Sequence, residues 1–286
     1  MQPLPANMQL KTRSLGLSLV ELMISLLLGA LLASGIIAVY LDSKRNFMAE
    51  EEMARIQENG RFAINLLKRE LTLAGFYGGS FAVDDMAPQS LGGADCAANW
   101  ALDADNPIEL IDEYASGDPT TTGTTLACLT ASEIEPGTDI FSIKRTAGEP
   151  TLKDGEWADG IGLSTARVDQ WYLKKENYGE TVAWLYADSS ADFPSGDYAP
   201  NSRVDYWQYK AGVFFIRNYS TAAGDDIPTL CATRLVGDAM STECLVEGIE
   251  DMQIEFGVDT DADSVPNRYL DAPTAAQMND VVTARI

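Results

Sequence analysis

The sequence predicts an α+β protein in which one long N-terminal α-helix packs on an antiparallel β-sheet head domain. Three observations predict this fold. Residues 17–41 form an apolar run, residues 42–78 place apolar side chains at helical spacing, and residues 79–286 contain short alternating runs separated by turns. A chain of 286 residues is long enough to bury a proper core.

The first part of the predicted helix is long enough to cross a membrane. Residues 17–41 contain one charge, Glu21, and about 25 residues at a rise of 1.5 Å span roughly 37 Å. Lys11 and Arg13 precede the run and favour a cytoplasmic N-terminus. Gly16 lies between these basic residues and the apolar run, whereas an ordinary secretory signal has its small residues after the apolar region.

The second part of the predicted helix is amphipathic. Its apolar residues at near-helical spacing are Phe47, Met53, Ile56, Ala63, Leu66, Leu67 and Leu73, with charged residues between them. We therefore expect one face to pack on a globular domain. Gly75, Gly78 and Gly79 are expected to end the helix.

The head domain, residues 79–286, is predicted to be β-rich. The predicted strands cover residues 139–145, 168–174, 181–186, 204–210, 213–218, 249–256 and 281–286, with turn signals such as residues 135–137 between them. The sequence stops within the last of these strands, which suggests that a natural C-terminal portion is absent.

Composition excludes several classes of function. The formal net charge is -23, so binding to nucleic acid through phosphate contacts is disfavoured. The chain has no histidine, the commonest general base and transition-metal ligand. No pair of acids has a spacing that argues for a glycosidase. We therefore expect no enzymatic activity.

The four cysteines, Cys96, Cys128, Cys231 and Cys244, lie in the part that this topology would export. An even count in an oxidising compartment suggests disulfides. Three connectivities exist, and pairing Cys96 with Cys128 and Cys231 with Cys244 closes the shortest loops. Buried free thiols are the alternative. Metal binding is less favoured, because the sequence has no CxxC pair and no histidine.

Residues 16–22, GLSLVEL, resemble the class III prepilin signal: a glycine, a hydrophobic residue and a glutamate fifth in the mature chain. The resemblance implies a type IV pilin-like protein whose residues 1–16 are a leader peptide. Prepilin peptidase would cut between Gly16 and Leu17, and the new amine of Leu17 would be N-methylated. Leucine replaces the usual phenylalanine at this position. A plain membrane anchor is the alternative.

Glu21 needs an explanation, because a carboxylate in a membrane helix costs roughly 2.5 to 3.5 kcal/mol on insertion scales. Cleavage after Gly16 would create an ammonium at Leu17, which is costly to bury unpaired in a filament. We expect Glu21 to neutralise that ammonium on a neighbouring subunit.

Further blocks resemble large minor pilins of the PilW family: residues 55–62 with 71–77, residues 213–230, and residues 245–258. The resemblance implies a subunit of a tip or priming complex that promotes type IV pilus assembly, twitching motility and adhesion, and that supports a tip adhesin. Implied partners are other minor pilins, the major pilin and prepilin peptidase. The implied location is the inner membrane, with the head domain in the periplasm, and then the pilus tip.

Two other classes of function remain open. One is a tip subunit of type II secretion similar to pseudopilin J, which has the same overall plan. The other is a membrane-anchored enzyme or adhesin whose leader is coincidental.

One acidic segment has the spacing of a calcium loop. Asp259, Asp261 and Asp263 alternate, and Asn267 and Asp271 are further candidate ligands for calcium. The segment departs from the EF-hand pattern, because Ser264 replaces the turn glycine and Leu270 the acid at position 12. A solvated acidic turn is the alternative.

Two aromatic runs, Trp171-Tyr172 and Tyr206-Trp207 with Tyr209, are candidates for a partner or glycan surface. Their alternating strand spacing favours the core instead.

Overall fold

The computed structural model describes residues 16, 18–80, 83, 86–121, 124–158 and 168–286. The chain divides into two compact units, Met1–Arg55 and Ile56–Ile286. Helix α1, Leu19–Thr72, contributes its first part to the first unit and its last part to the second. The long N-terminal helix and the antiparallel sheet described below confirm the predicted α+β class.

Helix α1 ends at Thr72, earlier than the predicted boundary at residue 78. Gly75 follows in the left-handed region at φ +73°, and its N–H donates to the carbonyl of Lys144 at 3.0 Å. Gly78, at φ +62°, lies in the next turn. The helix therefore ends where the chain turns onto the sheet. The glycine positions alone predict this end a few residues too late.

Nine of the described strands form one antiparallel sheet, with the main order β1-β4-β9-β10-β11. These five strands are Ile108–Tyr114 (β1), Thr138–Thr146 (β4), Val204–Arg217 (β9), Thr229–Val236 (β10) and Ala239–Glu247 (β11). The other four are Leu152–Lys153 (β5), Glu156–Trp157 (β6), Gln170–Glu176 (β7) and Thr181–Ala187 (β8), and β5 and β7 pair with the first part of β9.

Two smaller sheets complete the described strands. Thr120–Thr121 (β2) pairs with Thr124–Thr125 (β3), and Glu255–Val258 (β12) lies between Arg268–Leu270 (β13) and Val281–Arg285 (β14). A short helix, Ala275–Met278 (α2), precedes β14.

The structure corrects three of the predicted strands. The strands predicted at 204–210 and 213–218 are one continuous strand, because Ala211 and Gly212 stay in the ladder with β4. The strand predicted at 249–256 is wrong over most of its length, since only Glu255–Val258 is a strand. The preceding residues bind Asp139 instead: its carboxylate accepts the N–H of Ile254 at 2.7 Å, and its N–H donates to Met252 O at 2.9 Å.

Both faces of the large sheet are buried, as the fully buried β4 shows. Ala63 and Leu67 of α1 cover one face, where Phe141 and Phe214 stack with ring centroids 4.9 Å apart. The other face is covered by an irregular segment before β1, residues 86–107, which includes Trp100. Because side chains alternate along a strand, Phe214 faces the helix and Phe215 the irregular segment.

Candidate functional site

The N-terminal motif surrounds the start of α1. Glu21 lies in the first turn of the helix, and Gly16 and Glu21 are exposed. Leu17 lies outside the described residues. By length and composition, α1 is the one helix in the described part of the chain that can cross a membrane, with a mean hydropathy of 2.5 over its 18-residue window. The processing and assembly roles of these three residues stay predictions.

The last part of α1 exposes apolar side chains on both flanks of its packed face. Ala63 is buried, while Phe62 and Ile64 are 56% and 54% exposed. Successive helix residues are about 100° apart, so these two side chains lie on opposite sides of Ala63. The described head domain therefore covers only a narrow stripe of this helix segment.

The structure contains both disulfides that the short-loop argument favours, Cys96–Cys128 and Cys231–Cys244. The first ties the irregular segment to the turn that follows β3, and its Cys96 is fully buried. The second joins directly opposed positions of β10 and β11. No described cysteine is free.

The acidic segment forms a loop after β12. Carboxylate oxygens of Asp259, Asp261 and Asp263 lie within 4.8 Å of one another. Asp259 accepts backbone N–H groups from residues 261, 262 and 264 at 3.1, 2.8 and 2.7 Å. Burial is the largest single influence and raises the pKa of Asp259. The hydrogen bonds together lower it by more, so the pKa lies below its ordinary value. The carboxylate of Asp259 therefore organises the loop.

The two further candidate ligands differ. The side-chain oxygen of Asn267 joins the loop and accepts both the N–H and the hydroxyl of Thr260, at 2.5 and 2.8 Å. Asp271 is not part of the carboxylate cluster found among the described residues. It lies near Asp112, whose pKa is raised by burial first and then by the charges of Glu113 and Asp271. Calcium binding stays a prediction.

The five aromatic residues of the two runs are all buried. Tyr172 and Tyr206 pack edge to face, with centroids 6.1 Å apart, in a satellite core. This arrangement agrees with a core role.

Sequence reasoning missed a row of cationic residues at the end of the helix-covered face. Arg145 on β4 lies directly opposite Lys210 on β9, and Arg234 on β10 lies opposite Gly212. The three cationic side chains lie on the same face of the sheet as Phe141 and Phe214, because side chains at every second strand position share a face. Only strand register could have revealed the row, because the three residues are far apart in sequence.

Glu70, in the last turn of α1, pairs with one member of this row. Its Oε2 accepts from Nε and Nη2 of Arg145 at 2.8 and 2.6 Å, and both side chains are buried. Arg69 approaches the other carboxylate oxygen at 3.3 Å from an exposed position. The buried pair thus joins the helix end to the sheet.

Residues 213–286 match the family model described as Type IV Pilus-assembly protein W. The matched segment starts within β9 and includes β10 to β14. It contains the resembling blocks 213–230 and 245–258, whereas the blocks before residue 78 lie outside it. No curated protein and no solved structure matches the chain. The match to the family model, together with the apolar N-terminal helix and the antiparallel sheet, supports a PilW-type pilus protein involved in type IV pilus assembly.

Proposed function

We propose that the protein is a minor pilin that joins a tip or priming complex and promotes assembly of the type IV pilus. The observation that carries the proposal is one continuous helix with an apolar first part and a last part that packs on a head of the matched family. A subunit of this kind acts by assembly and needs no catalytic group.

The processing step follows from the N-terminal motif. Prepilin peptidase cleaves after Gly16, and the amine of Leu17 becomes the new N-terminus and is methylated. Glu21, exposed in the first turn of α1, then neutralises that ammonium on a neighbouring subunit. Pairing offsets the cost of burying either charge alone in a filament.

The exposed apolar side chains support polymerisation through the helix. Phe62 and Ile64 flank the packed stripe, and Phe47, Met48 and Met53 are exposed within the first unit. Exposed apolar side chains in such numbers mark an interaction surface. In the proposed filament, helices of other minor pilins and of the major pilin cover them.

The proposed topology has the apolar helix in the inner membrane and the head in the periplasm. Two disulfides suit an oxidising compartment outside the cytoplasm. After assembly the head lies at the pilus tip, where it can support a large tip adhesin.

The first experiment tests processing. The full chain is expressed with and without prepilin peptidase, and intact mass is measured. We expect loss of residues 1–16 with the peptidase, no loss in a Gly16→Trp variant, and normal cleavage in Glu21→Ala. An unchanged mass in all samples would contradict the pilin proposal.

The second experiment separates the pilus from type II secretion. Deletion of the gene is expected to abolish surface pili and twitching, and Glu21→Ala is expected to fail to restore them. Normal pili with lost protein secretion would instead indicate a tip subunit similar to pseudopilin J.

Calcium binding by the acidic loop is tested by thermal unfolding of the full chain with EDTA or about 1 mM calcium. We expect calcium to raise the midpoint of the wild type and not that of Asp261→Ala, which leaves the N–H bonds to Asp259 in place. An equal response of both proteins would remove the site.

A further inference from the structure

The head domain has a pocket of about 410 Å³ that is lined by Lys68, Phe256 and β14. The cationic row borders a second pocket, of about 250 Å³, whose lining carries more charged side chains. This second pocket, the basic pocket, lies between the last turn of α1 and the sheet. Its charged lining residues are Arg69, Glu70, Arg145, Lys210 and Arg234. Four cations therefore surround one carboxylate, in a chain that has 43 acidic and only 20 basic residues.

The charges in the basic pocket are not equally compensated. Glu70 compensates Arg145 through two hydrogen bonds, and Glu243 pairs with Arg234 at 2.5 Å. Within the described part of the chain, the side chain of Lys210 makes no hydrogen bond and no ion pair, although its backbone belongs to the ladder with β4. The unmatched positive charge of the pocket is therefore centred on Lys210.

The surroundings of Lys210 disfavour its charge. Burial is the main cause that lowers its pKa, and the charge of Arg145 is the next. The two residues lie directly opposite each other on neighbouring strands, an arrangement that is destabilising for like charges. An anion in the pocket would relieve this repulsion.

The pocket also has space and an apolar rim. Gly212 lies beside Lys210 on the same face and contributes no side chain, and a Cβ there would lie 3.4 Å from Cγ of Arg234. Val236 lines the rim and is 62% exposed. A volume of about 250 Å³ admits one side chain rather than a folded element.

We propose that the basic pocket binds an aspartate or glutamate side chain of a neighbouring pilus subunit, whose carboxylate pairs with Lys210. This inference rests on the proposed assembly function, which supplies the neighbouring subunit. The excess of cations selects a carboxylate, and the apolar rim packs against the residues that flank it.

The test uses the full chain, expressed with the other pilus subunits, extracted in detergent and treated with a water-soluble carbodiimide. This reagent joins an amine to a carboxylate in contact with it as an amide. We expect a cross-linked peptide that contains Lys210 and an acidic residue of another subunit. Lys210→Arg keeps the charge and is expected to lose the cross-link but retain co-purification.

Charge reversal supplies the second arm. Lys210→Glu is expected to reduce co-purified pilus subunits about tenfold or more, as for the loss of one partner of a desolvated charge pair. The matched control is Lys153→Glu, an exposed lysine on β5. Glutamate among the surrounding guanidinium groups is not expected to unfold the head, and an unchanged thermal midpoint checks this.

The outcomes separate the two proposals. Normal co-purification with Lys210→Glu, or no cross-link at Lys210 in the wild-type complex, overturns the pocket proposal and leaves the assembly function intact. Protection of Lys210 from acetylation by inorganic phosphate, without any cross-link to a subunit, also overturns it in favour of a free-anion site. Absence of any co-purified subunit from the wild type overturns both proposals.

Discussion

The two faces of the large sheet bury similar apolar layers, but their covers are built differently. On one face a regular helix supplies Ala63 and Leu67. On the other, an irregular segment supplies Trp100 and Leu102 and is closed by the Cys96–Cys128 disulfide. A helix satisfies its own backbone hydrogen bonds, whereas an irregular cover must find partners elsewhere, as the N–H of Gly93 does at the carbonyl of Asp238.

Neighbouring residues of β4 show the same contrast for buried charge. Arg145 points to the helix-covered face and has its carboxylate partner, Glu70, on the helix. Lys144 points to the other face, where its ammonium lies 4.8 Å from the ring centroid of Trp100. Arg145 is thus held by a direct pair, whereas Lys144 is held among aromatic and acidic groups.

The largest expected effect comes from the buried pair under the helix. Glu70→Ala leaves the buried guanidinium of Arg145 uncompensated, so we expect a loss of about 3 to 5 kcal/mol in unfolding free energy. Denaturant unfolding of the full chain in detergent measures it, followed by tryptophan fluorescence, since all five tryptophans lie in the second unit.

Two controls accompany this variant. Replacing both Glu70 and Arg145 by methionine is expected to restore most of the stability, because no charge is then left buried. Arg69→Ala, at an exposed position, is expected to cost less than about 1 kcal/mol. If Glu70→Ala cost no more than Arg69→Ala, the buried pair would not join the helix to the sheet as described.

This contrast also explains how far the sequence could predict the structure. Helical spacing identified the buried Ala63 and Leu67 because a helix repeats its pattern over many residues. The hairpin of β10 and β11 was missed, since its exposed β11 has few apolar residues to mark it. The cover around Trp100 has no periodicity at all, so nothing local could predict it.

The candidate sites divide in the same way. Local motifs such as Gly16 to Glu21 and the alternating acids from Asp259 can be identified from adjacent residues. The basic pocket combines Arg145, Lys210 and Arg234 through strand register, which depends on long-range pairing. The pairing of Cys231 with Cys244 is the intermediate case, because a short loop favours it before any register is known.

The next largest effect concerns the irregular cover. Replacing Cys96 and Cys128 by serine opens a loop whose ends are 32 residues apart. For a loop of this length, chain entropy predicts a loss of about 4 kcal/mol in unfolding free energy. We expect the near-ultraviolet circular dichroism to weaken as well, since Trp100 belongs to the same core. The same unfolding assay measures the loss, and a cost below about 1 kcal/mol would show that this cover is held without its cross-link.

A smaller effect is expected from the second disulfide. Replacing Cys231 and Cys244 by serine opens a separation of only 13 residues, worth about 3 kcal/mol by the same relation. The ladder between β10 and β11 also keeps the two strands together, so the circular dichroism of the native state should change little. A greater loss than for Cys96 and Cys128 would contradict this order.

The smallest effect is a pH dependence that distinguishes Lys144 from Arg145. Burial lowers the pKa of Lys144 below its ordinary 10.5, against the opposing charge of Glu109 and other acids. The unfolded chain then binds more protons at this position than the folded chain, so stability rises with pH between the lowered pKa and 10.5. One proton limits the slope to about 1.4 kcal/mol per pH unit. Lys144→Met removes the titrating group. The unfolding free energy of the wild type minus that of this variant should therefore increase from pH 8 to 10.5. Arg145 itself adds nothing to this slope, because a guanidinium keeps its proton in this range. A difference between wild type and Lys144→Met that stays flat or falls with pH would mean that the face covered by Trp100 solvates its ammonium as well as water does.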